Sequence, residues 1–242
     1  MPSMDLEEMI YRRKSVRSYT GEPVNCDMLH RIRAFADTMQ PLYPHIHVQM
    51  EIVDKSQVKC ILPWTTPQLI AIYSDPKDGY LENAGFLFQQ MDLYLQSIGL
   101  GVCWLGMGKI KLPDRTDGKE FVMLMGFGHP KGNALRENVS QFRRRALSAI
   151  SDKADEQLEP ARLAPSSVNS QPWYFVHQDG MIHTYCTHHG VLKSKGTRPI
   201  NRIDVGIALA HLYVANADTF RFFRVNFPRE LTDYTYIGSF TL

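Results

Sequence analysis

The sequence predicts a chain of mixed helices and strands made of two similar halves. Three observations carry that reading. Two long apolar helical segments, Leu81 to Ile98 and Asn201 to Ala217, lie in the middle and late in the chain. Short apolar runs of strand length flank each of them. The order helix, helix, strands, long buried helix, strand occurs twice, in units of about 100 residues. Only two such units exist, so this is no solenoid. It points to two halves related by a pseudo-twofold axis, each standing for one subunit of an ancestral dimer. The boundary is placed at about residues 141 and 142.

The elements follow in order. Asp5 is an N-cap for a first helix through Leu6, Met9 and Ile10, with Glu7 and Glu8 favourable in its first turn. The helix runs into the basic segment Arg12 to Tyr19, RRKSVRSY. A second helix is expected over Cys26 to Met39, with Met28, Leu29, Ile32 and Phe35 as its apolar stripe and Pro41 and Pro44 beyond its end. His47 to Val53 and Gln68 to Ser74 read as strands, the second nearly continuous in apolar residues. Leu81 to Ile98 is apolar around much of its circumference and is expected to be a buried central helix. Gly99 stops it, Val102 to Gly106 leads out, and Glu120 to Pro130 is a strand ending in glycines. In the second half a helix over about Asp155 to Leu163 precedes the loop Leu163 to Trp173, LAPSSVNSQPW. WYFV and MIHTY, the long helix, then FFRVNF and YTYIGSFTL complete the repeat, and FRRRALSAI echoes YRRKSVRSY.

Composition narrows the function classes. With 242 residues and 44% hydrophobic content the chain can bury a large core. The 27 basic and 25 acidic residues leave a formal charge of +2, so no nucleic-acid partner is expected. Four cysteines without a CxxC pair read as reduced thiols, and no apolar run approaches the roughly 20 residues of a membrane span. The acidic start MPSMDLEEMI shows no secretory signal. A soluble cytoplasmic protein is expected, with no membrane partner.

Chemistry concentrates in three places. The basic segment offers arginine forks, a lysine charge and a hydroxyl, all donors that a phosphate accepts. The loop Leu163 to Trp173 is stiffened by Pro165 and Pro172 and presents short hydroxyl and amide side chains. Glycines around Val102 to Gly106 allow close backbone approach to a ligand. The two halves differ in these places. Half one has RRKSVR and GLGVCWLG but TMQPLYPHI where the serine–asparagine loop should fall; half two has that loop but lacks the other two features. One composite site is expected between the halves. His183, Cys186, His188 and His189 fall close together, but their spacing fits no zinc pattern, and no metal site is expected. GLGVCWLGMG follows a helix, so it is no dinucleotide fingerprint.

Taken together, RRKSVRSY, LAPSSVNSQPW, GLGVCWLG with a following strand ending GFGHP, the RRRAL run and RIDVGIALAHLY resemble the flavin-dependent nitroreductases. They are most similar to fused, single-chain versions with two half-length repeats. The resemblance implies an α+β fold with mixed, mainly antiparallel sheets, long central helices, and FMN bound where two subunits meet. It implies that Arg13, Lys14 and Ser15 hold the FMN phosphate and ribityl chain, and that Arg17 reaches the pyrimidine edge of the flavin. Trp104, Leu105 and Gly106 face the ring near N5 and O4. Pro165, Ser166, Ser167, Asn169 and Gln171 form the loop contributed by the other half, and Arg143 and Arg145 return to the phosphate. A fixed guanidinium near N1 favours the reduced flavin, and the cofactor carries the redox chemistry, so no catalytic side chain is assigned. The implied activity takes hydride from NADH or NADPH and reduces a nitroaromatic, quinone or similar small conjugated acceptor in ping-pong fashion. Other flavin chemistry, such as dehalogenation or azoline oxidation, and flavin binding without turnover are the alternatives. The chain is expected to be a monomer in the form of a pseudo-dimer, with further self-association left open.

Overall fold

A computed structural model describes residues 5–59, 66–111, 117–188, 198–226 and 228–242. The fold is α+β. Helix α1 (Leu6–Arg12) is capped by Asp5, whose Oδ1 accepts the Glu7 N–H at 3.1 Å. Helix α2 (Cys26–Ala36) is capped by Asn25 and ends before Asp37, three residues short of the predicted Met39. Strands β1 (Val48–Val53), β3 (Gln68–Ser74), β4 (Gly101–Leu105) and β6 (Glu120–Gly128) form one sheet in the order β1-β3-β6-β4. A two-stranded ribbon of β2 (Val58–Lys59) and β5 (Lys109–Ile110) stands beside it. Strands β7 (Trp173–Gln178), β8 (Met181–Thr187), β9 (Arg221–Phe223) and β10 (Tyr234–Thr241) form a second sheet in the order β7-β8-β10-β9. In chain order the two sheets have the same topology. Every strand pair in them is antiparallel, and among the described residues parallel pairing is confined to two isolated bridges, Ser15 with Val102 and Ser151 with Phe175.

Between the third and second strands in sequence, each half inserts a long helix: α3 (Tyr80–Ser97) and α5 (Arg198–Ala215). They cross at two glycines. A Cβ on Gly85 would stand 2.1 Å from the Ile203 carbonyl oxygen, and one on Gly206 would stand 2.0 Å from that of Glu82. Each glycine therefore meets the carbonyl three residues before the other, the reciprocity that a twofold relation demands. Residues at equal offsets from these glycines also do equal work. Asn83 and Asp204, each two residues before its glycine, accept the Tyr43 and Ser167 backbone N–H groups. Gln90 and His211, each five after, bond the carbonyls of Gln40 and Pro160.

Helix α3 is buried on nearly every side, polar residues included, so those residues must find partners inside. Trp104 Nε1 donates to Gln89 Oε1 at 3.3 Å, and Gln89 Nε2 lies 3.0 Å from His211 Nε2. His211 Nδ1 lies 2.9 Å from the Pro160 carbonyl oxygen. Only one tautomer satisfies all three contacts: Nδ1 carries the proton and Nε2 accepts. Burial holds His211 in that neutral form and lowers its pKa to about 3.

The second half departs from the predicted order at its start. The expected helix over Asp155 to Leu163 is a 3₁₀ turn (Glu156–Leu158) running into a short helix, α4 (Glu159–Leu163), with Pro160 in its first turn. FRRRALSAI contains only a 3₁₀ turn, Leu147–Ala149. The likeness of this segment to YRRKSVRSY does not extend to position. Val16 of the first segment donates to Val102 of β4, whereas Ile150 of the second accepts the Phe175 N–H of β7, a strand at a different place in its sheet order.

Two measurements check this framework. Gly85→Ala or Gly206→Ala pushes a methyl group into a backbone carbonyl, so each should lower stability by about 3 kcal/mol or more in denaturant unfolding. For His211, the unfolded chain binds a proton below its ordinary value of 6.5 and the folded one only near 3. The contribution is therefore present above that ordinary value and is lost as pH falls. His211→Gln should flatten the acid limb of a stability–pH curve across that window.

Candidate functional site

The basic segment leaves α1 and turns inward at once. Arg13 is 1% exposed, and its Nε and Nη2 donate to the two oxygens of Asp92 at 3.2 and 3.1 Å. Gln96 Nε2 completes the carboxylate at 2.5 Å, and Gln96 Oε1 accepts the Lys14 N–H at 3.1 Å. Arg13 thus differs from its expected place on a ligand phosphate, because its forked face is committed to a carboxylate in the core. A buried pair of this kind is costly to break from either side, and here it fixes where the following residues emerge. Lys14 and Ser15 are half-buried and Arg17 is exposed. Among the described residues, neither Lys14 nor Arg17 forms an ion pair.

The segment then runs along β4. Val16 N–H donates to the Val102 carbonyl at 2.8 Å, and Gly101 lets the strand approach: a Cβ there would lie 2.6 Å from a Val16 methyl carbon. Cys103 is buried, and its thiol pKa is raised by burial, opposed in part by Arg17 and Arg13. Trp104 is half-buried with its indole N–H on Gln89. Leu105 is buried with its side chain in the core, so it can offer a ligand only backbone. Gly106 is exposed, and beside it lies Ile200 of α5, 3.7 Å from the position of a Cβ.

The linker after β6 joins the two distant motifs. Leu135 bridges to Arg13, and the Arg136 N–H donates to the Arg12 carbonyl at 2.6 Å. The Arg136 guanidinium donates to the carbonyl oxygens of Arg13 and, at 3.3 Å, Gln141. Phe142 then carries two guanidiniums, with Arg136 Cζ 4.1 Å and Arg144 Cζ 5.6 Å from its ring centroid. Arg144 reaches into the loop of the second half. Its Nε donates to the Ala164 carbonyl at 2.9 Å, Nη2 to that of Leu163 at 3.3 Å, and Nη1 to Asn169 Oδ1 at 2.7 Å. Asn169 Nδ2 returns a bond to the Arg143 carbonyl at 2.8 Å.

Arg13, Arg136 and Arg144 thus gather in one corner. Desolvation, and then the charge of Arg13, lower the pKa of both Arg136 and Arg144 to about 10. Among the described residues neither arginine has a carboxylate partner. Sequence patterning missed both. Arg136 sits in a polar linker without periodicity. Within the arginine run, Arg144 enters the corner, while the expected Arg143 and Arg145 have exposed side chains and contribute backbone.

The loop itself is tightly built. Pro165 and Gln171 are buried, Ser166 and Ser167 half-buried, and Asn169 exposed. Gln171 Oε1 accepts the Arg145 N–H at 2.7 Å, Gln171 Nε2 donates to the Asn169 carbonyl at 3.1 Å, and its own N–H donates to Ser166 Oγ at 2.9 Å. Gln171 is therefore a brace between loop and linker. Asn169 stays exposed, whereas the Ser170 hydroxyl is buried.

The histidine–cysteine group reads differently. His183 Nδ1 lies 2.6 Å from Ser239 Oγ, His188 Nε2 lies 2.7 Å from Thr235 Oγ1, and Cys186 is buried. His189 lies outside the described residues.

Residues 5–216 match the profile of the family described as "Putative TM nitroreductase". The "putative nitroreductase" of Thermotoga maritima shares the fold with a TM-score of 0.64 at 19% identity, over 99% of this chain and 94% of that one. A nitroreductase family protein of Clostridium difficile 630 aligns over 61% of this chain and 96% of its own, at 18% identity and TM-score 0.47. An FMN-dependent nitroreductase of Clostridium difficile R20291 aligns over 54% of this chain and 91% of its own, at 17% identity and TM-score 0.42. No curated protein matches the chain. With residues 5–216 of its 242 matched by that profile, the chain belongs to this nitroreductase family.

Proposed function

We propose that the chain is an FMN-dependent oxidoreductase. It takes hydride from NADH or NADPH and reduces a nitroaromatic, quinone or similar small conjugated acceptor in ping-pong fashion. The observation that carries this reading is the arginine corner. Arg136 and Arg144 are partly desolvated, crowd each other and Arg13, and are held by carbonyl oxygens instead of carboxylates. Such an arrangement is strained by like charge until an anion arrives, and a phosphate monoester is an anion whose oxygens suit arginine forks. The donor chemistry therefore fits the phosphate of FMN. When bound, that cofactor supplies hydride and electron transfer.

The chain's own residues supply the cradle. Arg136, Arg144, Lys14 and Ser15 would hold the phosphate end, with Arg13 fixing the segment from beneath through Asp92. Arg17, exposed on the same segment, would place a positive charge toward the ring. Trp104 and Gly106 would border the ring with side chain and backbone, and Ser166, Ser167 and Asn169 would close it from the other half. No general acid or base is needed among them.

We further infer that the two halves are a fused pseudo-dimer with one such site. Shared sheet order and the reciprocal glycine contacts support the pairing. The place in half two corresponding to the end of β4 is filled by Arg224, which follows β9. Arg224 lies over the Tyr43 ring at 5.2 Å and pairs with Asp78 at 2.5 Å. Tyr43 belongs to the loop that Asn83 anchors, the counterpart of the loop in half two.

The visible spectrum of the protein, as purified and after addition of FMN, tests the central claim; a colourless protein that takes up no FMN overturns it. Titration should saturate at one FMN per chain, and two would defeat the single-site reading. Arg144→Ala and Arg136→Ala should each weaken FMN by about 10- to 100-fold, the cost of a charge-assisted bond. Anaerobic bleaching by NAD(P)H followed by reoxidation with a quinone or nitroaromatic separates turnover from binding alone.

A further inference from the structure

We propose that Asp204 is the positioning residue for the loop Leu163 to Trp173. Its carboxyl reaches from α5, holds the Ser167 N–H, and so fixes the left-handed turn that sets Asn169 against Arg144.

The loop adopts a backbone that its residues resist. Val168, Asn169 and Gln171 have φ of 47°, 59° and 50°. For asparagine that region is tolerable, but for a β-branched valine it is unfavourable, and three such residues in four positions require outside support. The loop's own bonds are short-range: Asn169 N–H to the Ser166 carbonyl at 3.1 Å, Ser170 N–H to that of Ser167 at 3.0 Å, and Gln171 N–H to Ser166 Oγ. These close the turn on itself but do not tie it to the core. The arginine segment that meets it from the side is itself loop. Asp204 supplies the tie to a helix. It is 3% exposed, and its two oxygens accept the Ser167 N–H at 3.1 and 3.0 Å.

The other half shows what the position does when no ligand loop depends on it. Asn83, at the same offset from its glycine, accepts the Tyr43 N–H at 2.9 Å and donates Nδ2 to the Ile46 carbonyl at 3.2 Å. Loop anchoring is thus common to both positions. In the first half the anchored loop contains no non-glycine residue of positive φ. Only in the second half is the anchor coupled to strain and, through Asn169, to an arginine of the basic corner. Asp204 differs from Asn83 in offering both side-chain oxygens to one N–H, and burial raises its pKa well above the ordinary carboxyl range.

Hydrogen exchange of the Ser167 to Gln171 amides in the absence of any flavin tests the tie directly, with FMN affinity measured in parallel. Asp204→Leu should speed exchange there and weaken FMN, each by about tenfold or more, since a buried N–H loses its acceptor. Asp204→Asn should restore both to near wild type, because asparagine does the same task at position 83. Asn83→Leu, an equally buried change, should lower thermal stability but leave loop exchange and FMN affinity unchanged. Should Asp204→Leu not fold, Asp204→Ala takes its place with the same expectation. Unchanged exchange in the Leu or Ala variant, or equal loosening of this loop by Asn83→Leu, overturns the proposal. If the wild-type protein binds no FMN, the flavin reading fails while the exchange result still decides the anchor.

Discussion

The close crossing of α3 and α5 is the constraint on which the rest of the structure depends. Two glycines bring backbone against backbone, so the residues flanking each glycine are held at fixed positions between the other helix and the loops of their own half. Asn83 and Asp204 can then reach loops, Gln90 and His211 can reach carbonyls, and Gln89 can link Trp104 to His211 across the crossing. With any larger residue at the crossing the helices would separate, and the Gln89–His211 bond that joins the two halves would lengthen. The site inherits its geometry from this contact, because its parts hang from helices that are packed to within contact of main-chain atoms.

A second principle governs the basic corner. Ordinary proteins balance partly buried guanidiniums with carboxylates, as this chain does with Arg13 and Asp92 or Arg162 and Glu159. Arg136 and Arg144 are treated otherwise. They receive dipoles, from carbonyls and an amide oxygen, and an aromatic face from Phe142. Dipoles hold a cation in place without neutralising it, so the positive charge stays available to a ligand.

Much of the fold was legible because apolar patterning reports burial. Gln68 to Ser74 is a strand with the predicted bounds, and the Leu81 to Ile98 segment differs from α3 by a single residue at each end. The first helix starts where Asp5 can cap it. Patterning failed where composition stood in for position. FRRRALSAI looks like YRRKSVRSY, yet the two segments meet different strands, because a row of arginines carries no period that fixes its neighbours. Three adjacent arginines are chemically alike, and only Phe142 and the carbonyls of Leu163 and Ala164 select Arg144. Arg13 looked like a ligand donor since its partner Asp92 lies far along the chain on an otherwise apolar helix. The loop Leu163 to Trp173 showed its stiffness through its prolines, but its left-handed residues follow from tertiary bonds that no local pattern encodes.

The linker that carries Arg136, Phe142 and Arg144 has a consequence for assembly. In a site shared between separate polypeptides, the two contributions meet only as often as their concentration allows. Here the basic segment, the linker and the loop belong to one covalent chain, so they meet at an effective concentration set by the tether and unchanged by dilution. Completeness of the corner is then a property of each molecule. Elsewhere the same covalent continuity brings Arg224 from late in the chain onto Asp78 and the Tyr43 ring from its first third.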